Sequence, residues 1–161
     1  MGWSINRIMA NQVTSNKNPL ILTDSFKMVF HRAPNVSYFC QNFTMPSMAM
    51  TEATIARPKI DAYVPGDKIT FDPLSITMLV AEDMENYEEI YNWMLADQNI
   101  VDDISIYLLT SKKNSNKFVT FKNAFPTNIG SITFNVQDTD VTYAQLDVTF
   151  RYDYFTINNV T

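Results

Sequence analysis

The sequence is short of the residues that most active sites, disulfide frameworks and membrane segments are made from. It has one cysteine, Cys40, and one histidine, His31, so neither an internal disulfide nor a Cys/His zinc set can be assembled. Its three glycines, Gly2, Gly66 and Gly130, cannot make a phosphate-cradling loop. Charged residues are 18% of the chain, against about 25% in an average soluble domain. No apolar run reaches the roughly 18 residues of a membrane-crossing helix. The opening MGWSINRIMANQ lacks the apolar stretch of a signal peptide, and Asn6 stands where a myristoylation motif has Ser or Thr. The mature chain is therefore expected to begin near Met1 in a cytoplasm. A net charge of −5 argues against a protein that grips nucleic acid by releasing counterions; contact with DNA would be contact without adhesion.

What is present is apolar and aromatic: 46% and 13% of 161 residues, enough for one domain to bury about 70% of the surface its unfolded chain exposes. Few charges and few hinges describe an extensively paired chain with weakly charged surfaces. That profile suits an assembly subunit better than a free monomeric enzyme.

Residues 1–23 read as an N-terminal arm, with Asn6, Asn11, Asn16 and Asn18 among few apolar positions and a short helix over Ser4 to Asn11. Residues 24–161 read as one domain, without linker or repeat. Its body alternates with the period of strands. Phe26, Met28 and Phe30 form one strand; a second is expected over Val36 to Met45, after a turn at Ala33-Pro34-Asn35. Met50 to Arg57 and Lys59 to Val64 follow around Pro58. Pro65-Gly66-Asp67 reads as a type II turn, with Gly supplying positive φ. In the next stretch the alternation flips around Asp72-Pro73, from Ile69 and Phe71 to Leu74, Ile76, Met78 and Val80, which suggests a β-bulge.

One helix is expected next, capped by Asp83, with Met84, Tyr87, Ile90, Tyr91 and Met94 on its apolar face and lying across a sheet. Ile104 to Leu109 and Lys117 to Lys122 then read as a hairpin with a polar tip at Ser111 to Asn116. Two further alternating strands close the chain. Ile132, Phe134 and Val136 oppose Ser131, Thr133, Asn135 and Gln137, and Ala144, Leu146, Val148, Phe150, Tyr152 and Tyr154 oppose Gln145, Asp147, Thr149, Arg151 and Asp153. Gly130 sits at the turn feeding them. Antiparallel sheets with one wet face read in this way.

No constellation points to catalysis, a metal or a cofactor. Glu82, Asp83, Glu85, Glu88 and Glu89 read as a solvated helix face favourably placed on the helix dipole, because no histidine or second carboxylate motif accompanies them. His31 reads as a rim residue, Cys40 as a small core hydrophobe. Asn35-Val36-Ser37, Asn42-Phe43-Thr44 and Asn159-Val160-Thr161 match the glycosylation acceptor pattern by chance. Two aromatic groups, Tyr87, Tyr91, Trp93 and Tyr152, Tyr154, Phe155, lie among carboxylates rather than in a basic groove, which favours core and interface over base stacking.

Three segments carry a family resemblance. They are Val64-Pro65-Gly66-Asp67-Lys68-Ile69-Thr70-Phe71-Asp72-Pro73-Leu74-Ser75-Ile76-Thr77-Met78; the helix ending in Tyr91-Asn92-Trp93; and Phe125-Pro126-Thr127-Asn128-Ile129-Gly130 with the alternating strands that finish at Asp153-Tyr154-Phe155. Together with Met45-Pro46-Ser47 they cover roughly residues 24–157 and resemble the tail tube proteins of contractile-tailed bacteriophages and the tube-like proteins of the baseplate hub. The Asn-rich arm departs from the plain tube pattern.

The resemblance implies a mainly β fold of two packed antiparallel sheets, a tail-tube-like sandwich or barrel, with one flanking helix. It implies a structural virion protein: a homo-hexamer forming stacked rings, with sheath, baseplate or terminator proteins as neighbours, and DNA passing through during ejection. It implies no enzyme activity, cofactor or small-molecule substrate. The expected location is the virion tail, assembled in the host cytoplasm. Ser75, Thr77, Thr133, Asn135, Gln145, Asp147 and Thr149 would face the lumen, and Ile76, Met78, Phe134, Val148 and Phe150 would form the intersheet core. An excursion from Met45 to Pro65 would reach a neighbouring ring through Met48, Met50, Ile55, Ile60 and Tyr63; the other reading is a hairpin buried in its own subunit. The alternatives for the whole chain are a minor ring (tube initiator, baseplate hub or tail completion protein), a monomeric ligand-binding β-sandwich with a pocket near Tyr91 to Trp93, and an enzyme using the acidic helix.

Overall fold

A computed structural model of the chain describes residues 20, 22, 25–98, 100–136 and 142–160. The expected arm and its helix therefore lie outside the described residues, apart from Leu20 and Leu22, both exposed. The elements in order are β1 Phe26–Phe30, α1 Pro34–Phe39, β2 Cys40–Thr44, β3 Met48–Ile55, β4 Ala62–Phe71, β5 Leu74–Leu79, α2 Glu85–Leu95, β6 Asp102–Leu109, β7 Ser115–Ile129, β8 Gln145–Arg151 and β9 Tyr154–Asn159.

Every strand pairing is antiparallel, and the body is two sheets that share one strand. β1, β6, the first half of β7 and β9 form the first; β2, β5, β8 and the second half of β7 form the second. β3 and β4 pair with one another in a separate two-stranded ribbon. The expected mainly β architecture holds.

β7 changes sheets at a corner built from polar groups. The β6–β7 register shifts between Asp102 and Ile104, and opposite that shift Asn123 takes φ 55°, a left-handed conformation that asparagine tolerates. Its backbone N–H donates to the Asp103 carboxylate at 3.2 Å and its side-chain amide to Asp153 at 2.6 Å. Lys122 adds an ion pair to Asp103 at 2.5 Å, which holds the Asp103 carboxyl below its ordinary range. Sheets that turn corners do so at bulges of this kind.

The core lies between the two sheets. Met28, Phe30, Ile104, Ile106, Val119 and Phe121 come from the first and Leu74, Ile76, Met78, Leu146, Val148 and Phe150 from the second, all buried. Each contributes about 1.5–3 kcal/mol of transfer free energy. β8 follows the alternation expected of it: Leu146, Val148 and Phe150 point inward while Gln145 and Asp147 are exposed. β1 and the β6–β7 hairpin also form where expected.

Elsewhere the structure departs from the pattern. The run from Val36 does not begin as a strand; Pro34, with φ preset for a helical first turn, opens α1, and only Cys40 starts β2. Val36 is buried, Ser37 Oγ accepts the Phe30 N–H at 2.9 Å, and Glu89 on α2 accepts the Asn35 backbone N–H at 3.2 Å. Pro65-Gly66-Asp67 lies inside β4 rather than at a turn, and Gly66 has no positive φ. Glycine is needed there for a close approach: a Cβ would stand 2.3 Å from Thr51 Oγ1 and 2.6 Å from the Thr51 carbonyl oxygen, where the β3–β4 register shifts. Asp72-Pro73 is likewise not a bulge within one strand but a break between β4 and β5, which belong to different sheets.

Residues 131–136 hold no strand, and Phe134 is 78% exposed, so it is not part of the intersheet core. Pairing with β8 is satisfied earlier, by Phe125 to Ile129, and ends where Gly130 N–H donates to the Asp147 carbonyl at 2.7 Å. The expected single strand from Ala144 to Tyr154 is broken at Tyr152-Asp153 into β8 and β9, opposite the Asn123 corner.

α2 packs on α1 and β7 and buries Asn86, Ile90 and Trp93; Tyr91 and Met94, assigned to its apolar face from the sequence, are exposed. Asp83 is not the cap expected of it: Met84, at φ 58°, takes that position without a side-chain cap bond, and Asp83, one residue earlier, accepts the Glu85 N–H at 3.2 Å. The face is rotated because polar Asn86 points inward. Its amide donates to the Leu79 carbonyl at 2.6 Å and its oxygen accepts the Ala81 N–H at 3.1 Å, tying the exit of β5 to the start of α2. Asn86→Leu is expected to lower stability by about 2–4 kcal/mol, because both backbone partners are left buried without a bond. Urea unfolding monitored by circular dichroism checks this, and a loss below about 0.5 kcal/mol would contradict the role.

Candidate assembly surfaces

The β3–β4 ribbon is the part of the chain least satisfied by its own fold. Every residue of β3 is exposed, and among the described residues no strand besides its partner pairs with either arm. Met48, Met50, Ile55, Ile60 and Tyr63 are all exposed on it, Ile60 at 78%, along with Val64 and Ile69. Among the described residues nothing of its own subunit covers the hairpin. A two-stranded ribbon on its own is marginally stable in water, and this one carries apolar side chains on both faces.

The root of the ribbon, by contrast, is firmly held. The Phe71 ring lies 5.3 Å from Phe155 and 6.1 Å from Tyr152; the Tyr152 hydroxyl donates to the Asp72 carbonyl at 2.7 Å, and Asp72 N–H donates to the Ser47 carbonyl at 3.1 Å. The Ser47 hydroxyl also donates to the Asp72 carboxylate. These root residues escaped sequence reasoning. The signal available for them was the pair of prolines, Pro46 and Pro73, one on each strand where the ribbon leaves the sheet.

A second surface is the outer face of the β2–β5–β8–β7 sheet. Cross-strand register places Thr44 beside Ser75, Ser75 beside Thr149 and Thr149 beside Asn128; in the next row Asn42, Thr77 and Asp147 are neighbours. Thr77 donates to the Asp147 carboxylate at 2.7 Å, and Gln145 pairs with Leu79. Five residues expected on one polar wall, Ser75, Thr77, Gln145, Asp147 and Thr149, thus share one face. Thr133 and Asn135 are exposed but lie beyond the strands, on the segment after Gly130.

The acidic residues have structural partners. Glu89 accepts the Asn35 amide at 2.9 Å and Glu85 accepts it at 3.4 Å, so α2 carboxylates sit at the N-terminal end of α1, where negative charge is favourable. Among the described residues no group of three or more His, Cys, Asp or Glu could hold a metal ion. An open cleft of about 420 Å³, lined by Asn35, Phe39, Ala81, Glu82, Asp83 and Glu85, lies between the helices. The aromatic groups weighed for base stacking serve packing in part: Trp93 is buried with its ring 5.6 Å from Phe150, Phe121 is 4.9 Å from Tyr152, and Tyr91 and Tyr154 stay exposed.

Cys40 is half-buried, its sulfur 3.8 Å from Met28 Sδ, and burial pushes its thiol from 9.0 up to about 11. The shift disfavours the thiolate in the folded chain, so folded-state stability from this group is intact below pH 9 and falls as pH rises toward 11. Iodoacetamide at pH 8 is expected to alkylate native Cys40 about 100-fold more slowly than the urea-unfolded chain, in proportion to thiolate. Equal rates would contradict a buried thiol.

No protein-family model and no curated protein matches the chain. Solved structures do. The chain is similar to the tube terminating cap of the anti-feeding prophage (18% identity, 94% of this chain and 99% of that one, TM-score 0.65). It is similar to a component of the anti-feeding prophage baseplate (11% identity, 88% and 97%, TM-score 0.70). It is also similar to a chain of the sheath–tube complex of an extracellular contractile injection system, PVC (17% identity, 99% and 100%, TM-score 0.59). The fold is that of contractile-injection tube and cap proteins.

Proposed function

We propose that this chain, folded as the tube and cap subunits of contractile injection machines are, is a non-enzymatic structural subunit of such a tail: six copies close a ring, and rings stack into a conduit. The observation that carries the reading is the β3–β4 ribbon, exposed over all of β3 and most of β4 and carrying exposed Met48, Met50, Ile55, Ile60, Tyr63, Val64 and Ile69. Such a ribbon supports docking on an adjacent ring through Met48, Met50, Ile55, Ile60 and Tyr63, and methionine suits a contact that forms late and must adapt. Ring closure would also cover the open edges of β2 and of the second half of β7, which a free monomer leaves as pairing templates.

In that ring Ser75, Thr77, Gln145, Asp147 and Thr149 line the lumen, with Thr133 and Asn135 near its rim. Hydroxyls, amides and one carboxylate make a wall that a polyanion such as DNA passes without sticking, its repulsion screened over about 8 Å at physiological salt. Residues 1–23 form an arm outside the tube-like domain of residues 24–161. The particle is a virion tail or injection apparatus assembled in the host cytoplasm, with sheath, baseplate and terminator proteins as neighbours. A second reading, a terminal or initiating ring in place of the repeated tube, is favoured by the similarity to a terminating cap over 94% of the chain.

The test is assembly of the purified full chain. Sedimentation velocity and negative-stain images are expected to show closed rings of about six copies at high concentration. A monomer that stays monomeric at high concentration, even beside a neighbouring tail component, would refute the reading. Copy number in intact particles separates tube from terminal ring: on the order of hundreds against about six.

A further inference from the structure

The ribbon and the α1–α2 cleft lie at opposite ends of one strand. β5 begins at Leu74, next to the ribbon root, and ends at Leu79, from which the chain runs through Val80 into Ala81 on the wall of the cleft. Copies stacked head to tail along β5 would bring the ribbon of one toward the cleft of the next. The eight residues of β3 span about 26 Å at roughly 3.3 Å per residue, and the six of β5 about 20 Å, so the ribbon is long enough to reach.

Charge matches across that gap. The ribbon tip, residues 56–61, carries Arg57 and Lys59 with Asp61, all exposed, beside exposed Ile60. The cleft presents Glu82, Asp83 and Glu85, also exposed, above the ring of Phe39. No lysine or arginine of the same copy pairs with these three carboxylates among the described residues, and no carboxylate pairs with Arg57 or Lys59. A cationic tip on an apolar shaft and an anionic cleft with an apolar floor are complementary halves of a head-to-tail contact, which propagates rather than closing on itself.

We infer that the ribbon tip of one copy docks in the α1–α2 cleft of a second copy in the adjacent ring, with Arg57 and Lys59 facing Glu82 and Asp83. This rests on the ring-stacking reading above and names the receptor surface for its ribbon. It gives the acidic start of α2, which hydrogen-bonds within its own chain through Asp83 and Glu85, a cationic partner.

Paired charge reversal tests the contact in the full chain. Arg57→Glu with Lys59→Glu makes both surfaces negative, and Glu82→Lys with Asp83→Lys makes both positive. Each variant alone is expected to need at least about tenfold more protein to stack at 0.15 M salt, while an equimolar mixture, alternating negative tip on positive cleft and the reverse, returns to the concentration of the unaltered chain. Either variant stacking normally, or a mixture no better than its components, overturns the inference. A second measurement does not depend on tolerance of charge reversal. Chains carrying Lys59→Cys and Glu82→Cys, each in a Cys40→Ser background, are mixed with a short bismaleimide. A covalent pair joined through positions 59 and 82 is expected, and its absence in the concentrated mixture overturns the contact. Rings missing from the unaltered chain count against the ring reading alone, whereas the 59–82 cross-link decides the docking contact by itself.

Discussion

Phe150→Ala is expected to cost about 3–5 kcal/mol of stability, the range for emptying a large aromatic from a closed core. Phe150 is fully buried, and its ring lies 5.6 Å from Phe30 on β1 and 5.6 Å from Trp93 on α2. One side chain thus joins the first sheet, the second sheet and the helix layer. None of the three can collapse into the void without leaving another contact. Domains of this size are stable by only about 5–15 kcal/mol, so the loss is a large fraction of the total. In urea the midpoint should fall by about 1.5–3 M at an ordinary slope. Phe150→Leu, which keeps most of the volume, should lose about 1–1.5 kcal/mol. An alanine variant within 1 kcal/mol of the parent would mean that the layers do not meet at this ring.

Met50→Asp with Tyr63→Asp should have the opposite profile: folding unchanged, assembly lost. Both residues are exposed on the ribbon and fill no core position, so the melting temperature should stay within about 2 °C. In a docked ribbon the same carboxylates would be desolvated against an apolar surface, and ring stacking should weaken by at least about 100-fold, to the point of disappearance in a repeated contact. Sedimentation velocity of the two proteins side by side reads both quantities. Unaltered stacking would place the ribbon outside the interface.

Where one face of a strand is buried in the core, local pattern was sufficient. β1, the β6–β7 hairpin and β8 were legible because Met28, Ile104, Ile106, Val119, Leu146 and Val148 alternate with polar neighbours and all end in the core. Pattern failed where tertiary partners decide. Phe134 and Val136 alternate like a strand but find no ladder, because β8 is already paired with Phe125 to Ile129. Gly66 looks like a turn glycine, yet its role is to let β4 approach Thr51. Asn86 is polar and carries no pattern that marks it as buried, yet two backbone groups at the β5 exit pull it inside. Of the candidate surfaces, the ribbon residues Met48, Met50, Ile55, Ile60 and Tyr63 came from the family resemblance and not from local pattern. The acidic cleft was not foreseen, because Asn35 and Glu82 are distant in sequence and meet only when α1 packs on α2.

The shared strand has a mechanical consequence. The fifteen residues of β7 are an inner rung of one sheet and an edge rung of the other, and Asn123, held by Asp103 and Asp153, fastens the bend between them. Load applied to either sheet is carried through a covalent chain into the other, so the body must yield as a unit. The ribbon stands outside that load path. Among the described residues it is tied to the body at Phe71, Asp72 and Ser47, so it can flex while the body keeps its shape.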